Sequence, residues 1–404
     1  MPEIPLHSEL LEGSSEPHRF TSRPRGFAVI LVLALAAGSC TERPAPPRPY
    51  LAFVVNEVSS TLTAVNLGTL EITDSIVVPS HPVQILARPG THELWILSRS
   101  GILSVLEYPS LRTAASIHIG SSAADLVLTR DGQLAAVYNA DTGVVSLVDG
   151  IARTVTGRVK TGAGVSALAF TPDGKILIAS EGVRDRLTLI DTRTTRTLGW
   201  IGVGKGPGPL ALLPDGSKLF VADTEEPKIS AVDLESRQVL SNIELASTSG
   251  ALVLKPDGGE LIALGRDAAT LTILDTFHDD VETEMPAGLK PAAAVATKDS
   301  SKLYVANAGD GSVEAIDLQN RVVLASTRVG GSPGALALTP DERFLVVADS
   351  ANSSLAVLGT SPMNPKLKIK GSPQPLITTL PLITTIPVGA HPVDVAIPDW
   401  LGSQ

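Results

Sequence analysis

The sequence predicts an all-β protein, a β-propeller of four-stranded antiparallel blades, eight by repeat count with seven the alternative. Three observations predict it: a turn that returns about every 42 residues, four short strand-like runs between successive turns, and inner runs that are apolar on both faces. A chain of 404 residues would ordinarily suggest two or three domains. A closed ring of repeats grows as one unit instead.

The turn is clearest at Thr171-Pro172-Asp173-Gly174, Leu213-Pro214-Asp215-Gly216, Lys255-Pro256-Asp257-Gly258 and Thr339-Pro340-Asp341-Glu342. Its proline position falls at 89, 130, 172, 214, 256, 298 and 340, so one step is 41 and the others are 42. Pro presets φ, Asp bonds the backbone and Gly accepts positive φ, which makes this a hairpin turn between a first strand A and a second strand B. In the copy at 209–245, A is Pro209–Leu213, B is Lys218–Ala222, C is Ile229–Asp233 and D is Gln238–Leu245. B and C are almost wholly apolar, as in a sheet buried on both faces, and a blade sandwiched between two others is such a sheet. Asp149, Asp191, Asp233, Asp275 and Asp317 end strand C at steps of 42, with Asn66 in register, and read as turn residues.

Strands A and B each occur eight times. The chain enters with B, C and D (50–78) and ends with a lone A at 391–397, so the last A is expected to complete the first blade and clasp the ring, leaving no open seam. The eighth copy is interrupted at 359–383, a proline-rich stretch carrying Lys366, Lys368 and Lys370 and a doubled Leu-Ile-Thr-Thr (376–379 and 382–385). It is expected to form an exposed loop or a hairpin on one rim and is a candidate contact site.

Composition agrees with a packed globular body: 43% apolar, 18% charged and only 3% aromatic. The net charge of −10 and the few aromatics argue against nucleic acid as a partner. One cysteine, Cys40, excludes an internal disulfide.

Phe27–Ala37 is an 11-residue apolar run, too short to span a bilayer and the right length for the core of a signal peptide, with Arg19, Arg23 and Arg25 ahead of it. Leu35-Ala36-Ala37-Gly38-Ser39-Cys40 resembles the lipobox of bacterial lipoproteins, with Ala37 where the usual pattern has Leu. The resemblance implies a signal peptide over 1–39, lipidation of Cys40 and anchoring in a membrane. Thr41 after the cysteine points, by resemblance, to the periplasmic side of the outer membrane. Residues 40–49 then form a proline-rich tether holding the domain at 50–400 roughly 20–30 Å from the lipid.

Leu219-Phe220-Val221-Ala222-Asp223, Leu303-Tyr304-Val305-Ala306-Asn307 and Leu345-Val346-Val347-Ala348-Asp349, with Ser312–Asp317 and Leu187–Asp191, resemble YVTN-repeat, or YncE-like, propellers over residues 50–400. The resemblance implies the propeller and leaves the function open.

No nucleophile elbow, phosphate loop, paired cysteines or metalloprotease motif is present. Gly202-Val203-Gly204-Lys205-Gly206 falls in a D-to-A turn rather than ahead of a helix. Where B passes to C, Asn56, Asn139, Glu181, Asp223, Asn307 and Asp349 recur in register and form a candidate ligand-binding rim, against the plainer reading that each starts its own turn. His81 and His391 occupy matching D-to-A turns of neighbouring blades and are candidate metal or axial haem ligands. Two function classes follow. The first is a binding or scaffold protein for an envelope protein or a small ligand, monomeric and without a cofactor. The second is a propeller enzyme, a lactonase-like hydrolase or a periplasmic metal- or haem-dependent protein. The Ala-, Leu-, Gly- and Pro-rich A strands favour the first, because such a channel wall offers few reactive groups.

Overall fold

The computed structural model describes residues 50–361 and 378–399. It contains thirty-two strands, β1 to β32 in chain order, and one short 3-10 turn at Gly182–Arg184. They form eight four-stranded antiparallel sheets. β1 (Leu51–Asn56), β2 (Thr61–Asn66) and β3 (Glu71–Val77) make three strands of blade 1, and β32 (Pro392–Ala396) pairs with β1 as its A strand. Blades 2 to 8 follow as β4–β7, β8–β11, β12–β15, β16–β19, β20–β23, β24–β27 and β28–β31. The A strands β32, β4, β8, β12, β16, β20, β24 and β28 touch in a closed circle around the axis. Eight blades and the terminal clasp are therefore both realised.

The sequence explains the sheets locally. In β17 (Lys218–Asp223) the run Leu219–Ala222 is wholly buried, as is Ile229–Val232 in β18 (Lys228–Asp233), because neighbouring blades cover both faces. The core is a series of apolar clusters, each between two blades. Trp95, Leu97, Leu103 and Val105 of blade 2, for instance, meet Leu126, Ala135 and Val137 of blade 3. The A-to-B turn forms as its residues dictate: Thr171 donates through Oγ1 to Asp173 at 2.7 Å, the Gly174 amide donates to Thr171 O at 2.8 Å, and Gly174 takes φ +68°. The Thr171 hydroxyl, and after it the Lys175 amide at 3.1 Å, hold Asp173 down to about 2. The C-to-D turns use the periodic acids as expected, Asp149 accepting from the Ile151 and Ala152 amides at 2.8 and 2.7 Å.

The interruption in blade 8 differs from expectation at its far end. Residues 362–377 lie outside those described, but Thr378 to Pro381 do not stand free. Thr378 bridges Ala325 in parallel on the outer edge of β27 (Val322–Arg328), and Leu380 is buried between blades 7 and 8. The cause lies at the buried D-strand position, where other blades carry Ile117, Val159, Ile201, Ile243 or Met285. Blade 7 has Thr327 there. Its hydroxyl donates to Leu380 O at 2.9 Å, and the Leu380 side chain supplies the apolar volume that Thr327 lacks.

Candidate functional site

The six rim residues are brought to one level of the ring, each at the end of its B strand, and all six are buried at 0–1% exposure. In five of them at least one polar atom bonds the strands and loops around it. Asn56 Nδ2 donates to Thr61 Oγ1 and Thr63 Oγ1 at 3.1 and 3.0 Å. Asn139 Oδ1 accepts from the Thr142 amide at 3.0 Å, and its Nδ2 donates to Ser121 O across the D-to-A turn. Glu181 receives Arg184 at 3.1 Å and Arg186 at 3.0 Å, and Thr188 Oγ1. Asn307 donates to Ser312 Oγ at 3.0 Å. Asp349 accepts the Ser332 amide at 2.8 Å and Asn352 Nδ2 at 2.7 Å. Asp223 alone of the six has no hydrogen-bond partner at either carboxyl oxygen. Burial is the main cause that pushes it up to about 6; Glu226 repels it further, and the Lys205 amide and the Lys228 charge restrain it.

Sequence reasoning missed the partners. Thr63, Ser104, Ser146, Thr188, Ser230, Thr272 and Glu314, the third residues of successive C strands, fall 41 or 42 apart inside apolar runs. A polar residue kept at one buried register was the signal. Of these, Thr63 and Thr188 bond the rim residues Asn56 and Glu181, and Ser230 and Glu314 accept the amides of Gly204 and Gly288 in the D-to-A loops above them.

The channel wall also holds groups absent from the sequence-based candidates. Asp394 on β32 accepts the amide of Ile85, on blade 2, at 3.0 Å, and that of Val395 at 2.8 Å. Gln84 on β4 (Pro82–Ala87) accepts the Leu126 amide at 2.9 Å and donates to Leu126 O at 2.9 Å. Asp125 on β8 (Ala123–Leu128) accepts the Leu168 amide, on blade 4, at 2.9 Å. Each side chain thus ties its own inner strand to the next. Burial pushes Asp394 up to about 6 and raises Asp125, with the bonding amides opposing it in both cases. The same register in blades 4 to 8 carries Ala167, Pro209, Ala251, Ala293 and Ala335. Toward the A-to-B turns, a cavity of about 380 Å³ opens between blades 2 and 3, lined by Gln84, Leu86, Val127, Leu128 and Arg130 among others.

His81 and His391 stand in the turns before β4 and β32, at φ +55° and +57°. His391 Nδ1 lies 3.2 Å from Glu57 Oε2, and Glu57 Oε1 lies 3.4 Å from Arg99 Nε. The Arg99 amide donates to His81 O at 2.9 Å, so a polar chain runs from one histidine turn to the other. Among the described residues no group of three or more His, Cys, Asp or Glu is placed to hold a metal ion. Cys40 lies outside the described residues.

No family model matches the chain, and no curated protein matches it. Solved structures do. The chain is similar to a dihydro-heme d1 dehydrogenase, NirN, in complex with DHE, with a TM-score of 0.71 at 15% identity over 87% of this chain and 77% of that one. It is also similar to the hydrazine synthase of Kuenenia stuttgartiensis, with a TM-score of 0.57 at 20% identity over 69% of this chain and 96% of that one. At such identities the likeness is one of fold: an eight-bladed propeller.

Proposed function

We propose that this chain is a binding or scaffold protein of the bacterial cell envelope, a YVTN-type propeller anchored through a lipidated Cys40, which offers its D-to-A and B-to-C loops to an envelope protein or a small ligand. One observation supports this reading above the others. With Asp223 as the exception, the polar side chains of rim and wall are committed to their own ring: Asn139, Glu181 and Asp349 hold loops, and Asp394, Gln84 and Asp125 hold neighbouring strands. Groups committed in this way make a rigid frame for variable loops and are not free to act as acid or base in turnover.

The reading has two parts, tested separately. In a bacterial host fed an alkyne fatty acid, the chain should take up label and Cys40→Ala should lose it; equal labelling of both would remove the anchor. Capture from solubilised membranes should then return one reproducible partner, and binding should weaken when the exposed loop residues Val58, Val183 and Leu289 become Ser. Binding that is indifferent to these changes would remove the rim.

A second reading rests on His391. An imidazole whose Nδ1 is tied to a carboxylate keeps Nε2 for an iron, and a neighbour of this fold is described in complex with DHE. Haem retained in stoichiometric amount, and lost in His391→Ala, would favour this reading over the first.

A further inference from the structure

One of the rim grooves is unlike the rest. At this register Asn56, Asn139 and Asn307 donate an amide hydrogen, Glu181 is neutralised by two guanidinium groups, and Asp349 accepts from Ser332 and Asn352. Asp223 is fully buried with no hydrogen-bond partner at either oxygen, and only the nearby Lys205 amide and the Lys228 charge oppose the effect of burial. Burying a carboxylate with so little hydrogen bonding favours its neutral form over its charged one.

The loop Gly202–Gly206 lies over it. Gly204 sits directly on the carboxyl, and a side-chain carbon added there would collide with both Asp223 oxygens. The loop is fastened on either side of this point. The Val203 amide donates to Asp185 O at 3.1 Å, the Gly206 amide to Asp185 Oδ1 at 2.9 Å, and the Thr224 amide to Gly206 O at 2.9 Å. Its centre is held weakly, the Gly204 amide reaching Ser230 Oγ only at 3.4 Å. On its open side lies a cleft of about 490 Å³, lined by Asp185, Lys205, Glu226, Lys228 and Asn242 among others. The loop centre therefore separates a buried acid from a cleft large enough to admit water or a small ligand.

We propose that Asp223 is a proton-operated latch: while it carries its proton, Gly204 and Lys205 pack over it, and when the proton leaves, the carboxylate draws in water and the loop centre lifts to open the cleft between blades 4 and 5. The step is a simple ionisation in which the proton goes to solvent. The charges facing the carboxyl are Glu226 from its own B-to-C turn, Lys228 from β18, Asp185 from the corresponding turn of blade 4 and Lys205 from the loop. Lys205 is already paired with Asp185 at 2.9 Å and Lys228 with Glu226 at 3.2 Å, so neither is free to hold the new charge. The transition is placed near pH 6 by the burial that dominates this site.

Amide hydrogen exchange on the full chain between pH 5 and 8, corrected for intrinsic exchange rates, reads the latch directly. Protection at Gly204 and Lys205 should fall roughly tenfold or more as pH rises through about 6, while the equivalent loop over Asn139, which the neutral Asn139 amide holds at Ser121 O, stays unchanged. Asp223→Asn should abolish the transition, with Asp223→Ser as a second variant because Ser98 fills this register in blade 2. A flat profile in the parent, or an unaltered transition in both variants, would overturn the proposal.

Discussion

Blades 1 to 3 and blades 4 to 8 enclose the same channel with the same strands, yet join their neighbours differently. In the first sector Asp394, Gln84 and Asp125 each cross to the backbone of the next inner strand. In the second that register is filled by alanine and proline, and of the inner-strand side chains Ser166 crosses from the neighbouring position, donating to Pro207 O at 2.6 Å; both sectors share apolar clusters and ion pairs between blades, such as Glu93–Arg153 in the first and Lys218–Asp279 and Glu260–Arg321 in the second. The bonded sector begins at the ring's non-covalent seam, because Asp394 lies on the strand that closes blade 1. Apolar packing is non-directional and tolerates sliding, whereas a hydrogen bond to a backbone amide fixes register. Directional bonds are thus placed beside the joint where the chain does not hold the register itself.

The harshest way to break this comparison is to remove the seam. Deleting residues 391–404 strips β32 from blade 1, leaves one edge of β1 unpaired and takes the acceptor from the Ile85 amide. The loss should be on the order of 5 kcal/mol or more, enough to abolish cooperative melting in a marginally stable domain. Thermal unfolding followed by circular dichroism checks it. A truncated chain that melts with the parent would mean that the seam does not hold the ring.

The ring was legible because its signals are periodic. The A-to-B turn, the acids ending strand C and the apolar B and C strands each recur on the 42-residue beat, so one register could be read from another. The candidate rim was legible as a register but not as an environment. A sequence shows that Asn56 and Asp223 are equivalent and does not show that a D-to-A loop buries both. The bonded wall was hidden for the opposite reason. Gln84, Asp125 and Asp394 interrupt a register otherwise kept by small residues, and a reading built on repeats averages such exceptions away. Leu380 was hidden too, because its role is set by Thr327, 53 residues earlier on another blade.

Within the bonded sector, Asp394 should make the seam sensitive to pH. Its folded-state value, pushed up to about 6, lies above that of the unfolded chain, so the folded form binds the proton more tightly. Its contribution is then fully present below pH ~4 and is lost as pH rises through about 6. Asp394→Asn removes that titration whatever its fixed effect on stability. The difference in unfolding free energy between pH 4.5 and 7.5 should change by about 1–2 kcal/mol relative to the parent, discounted for the carboxyl's contact with channel water. Urea titrations at the two pH values measure it, and identical slopes in parent and variant would remove Asp394 as the sensitive group.

Gln84→Ala tests the bonded wall without charge. It leaves the Leu126 amide and carbonyl without their side-chain partner, at a cost of about 1 kcal/mol if channel water replaces part of the bonding. Ala251→Ser in the other sector should stay within about 0.5 kcal/mol. Equal effects in the same denaturation assay would erase the distinction between the sectors.

The smallest expected effect runs the other way, by building a bond at the register that alanine and proline fill in the second sector. Ala293, on β24 (Pro291–Ala296), stands to β28 (Pro333–Leu338) as Gln84 stands to β8, so the backbone of Leu336 is the counterpart of that of Leu126. Ala293→Gln places the same side chain at that register and should gain the two bonds that Gln84 makes. Against them stand the rotamer freedom the glutamine loses and the water it displaces. The net gain should be a few tenths of a kcal/mol and at most about 1. A gain of that size would show that the two sectors share one backbone geometry and differ only in side chain. A loss above about 1 kcal/mol would show that the inner strands of blades 7 and 8 lie too close for the longer side chain, and that the sectors differ in backbone spacing as well.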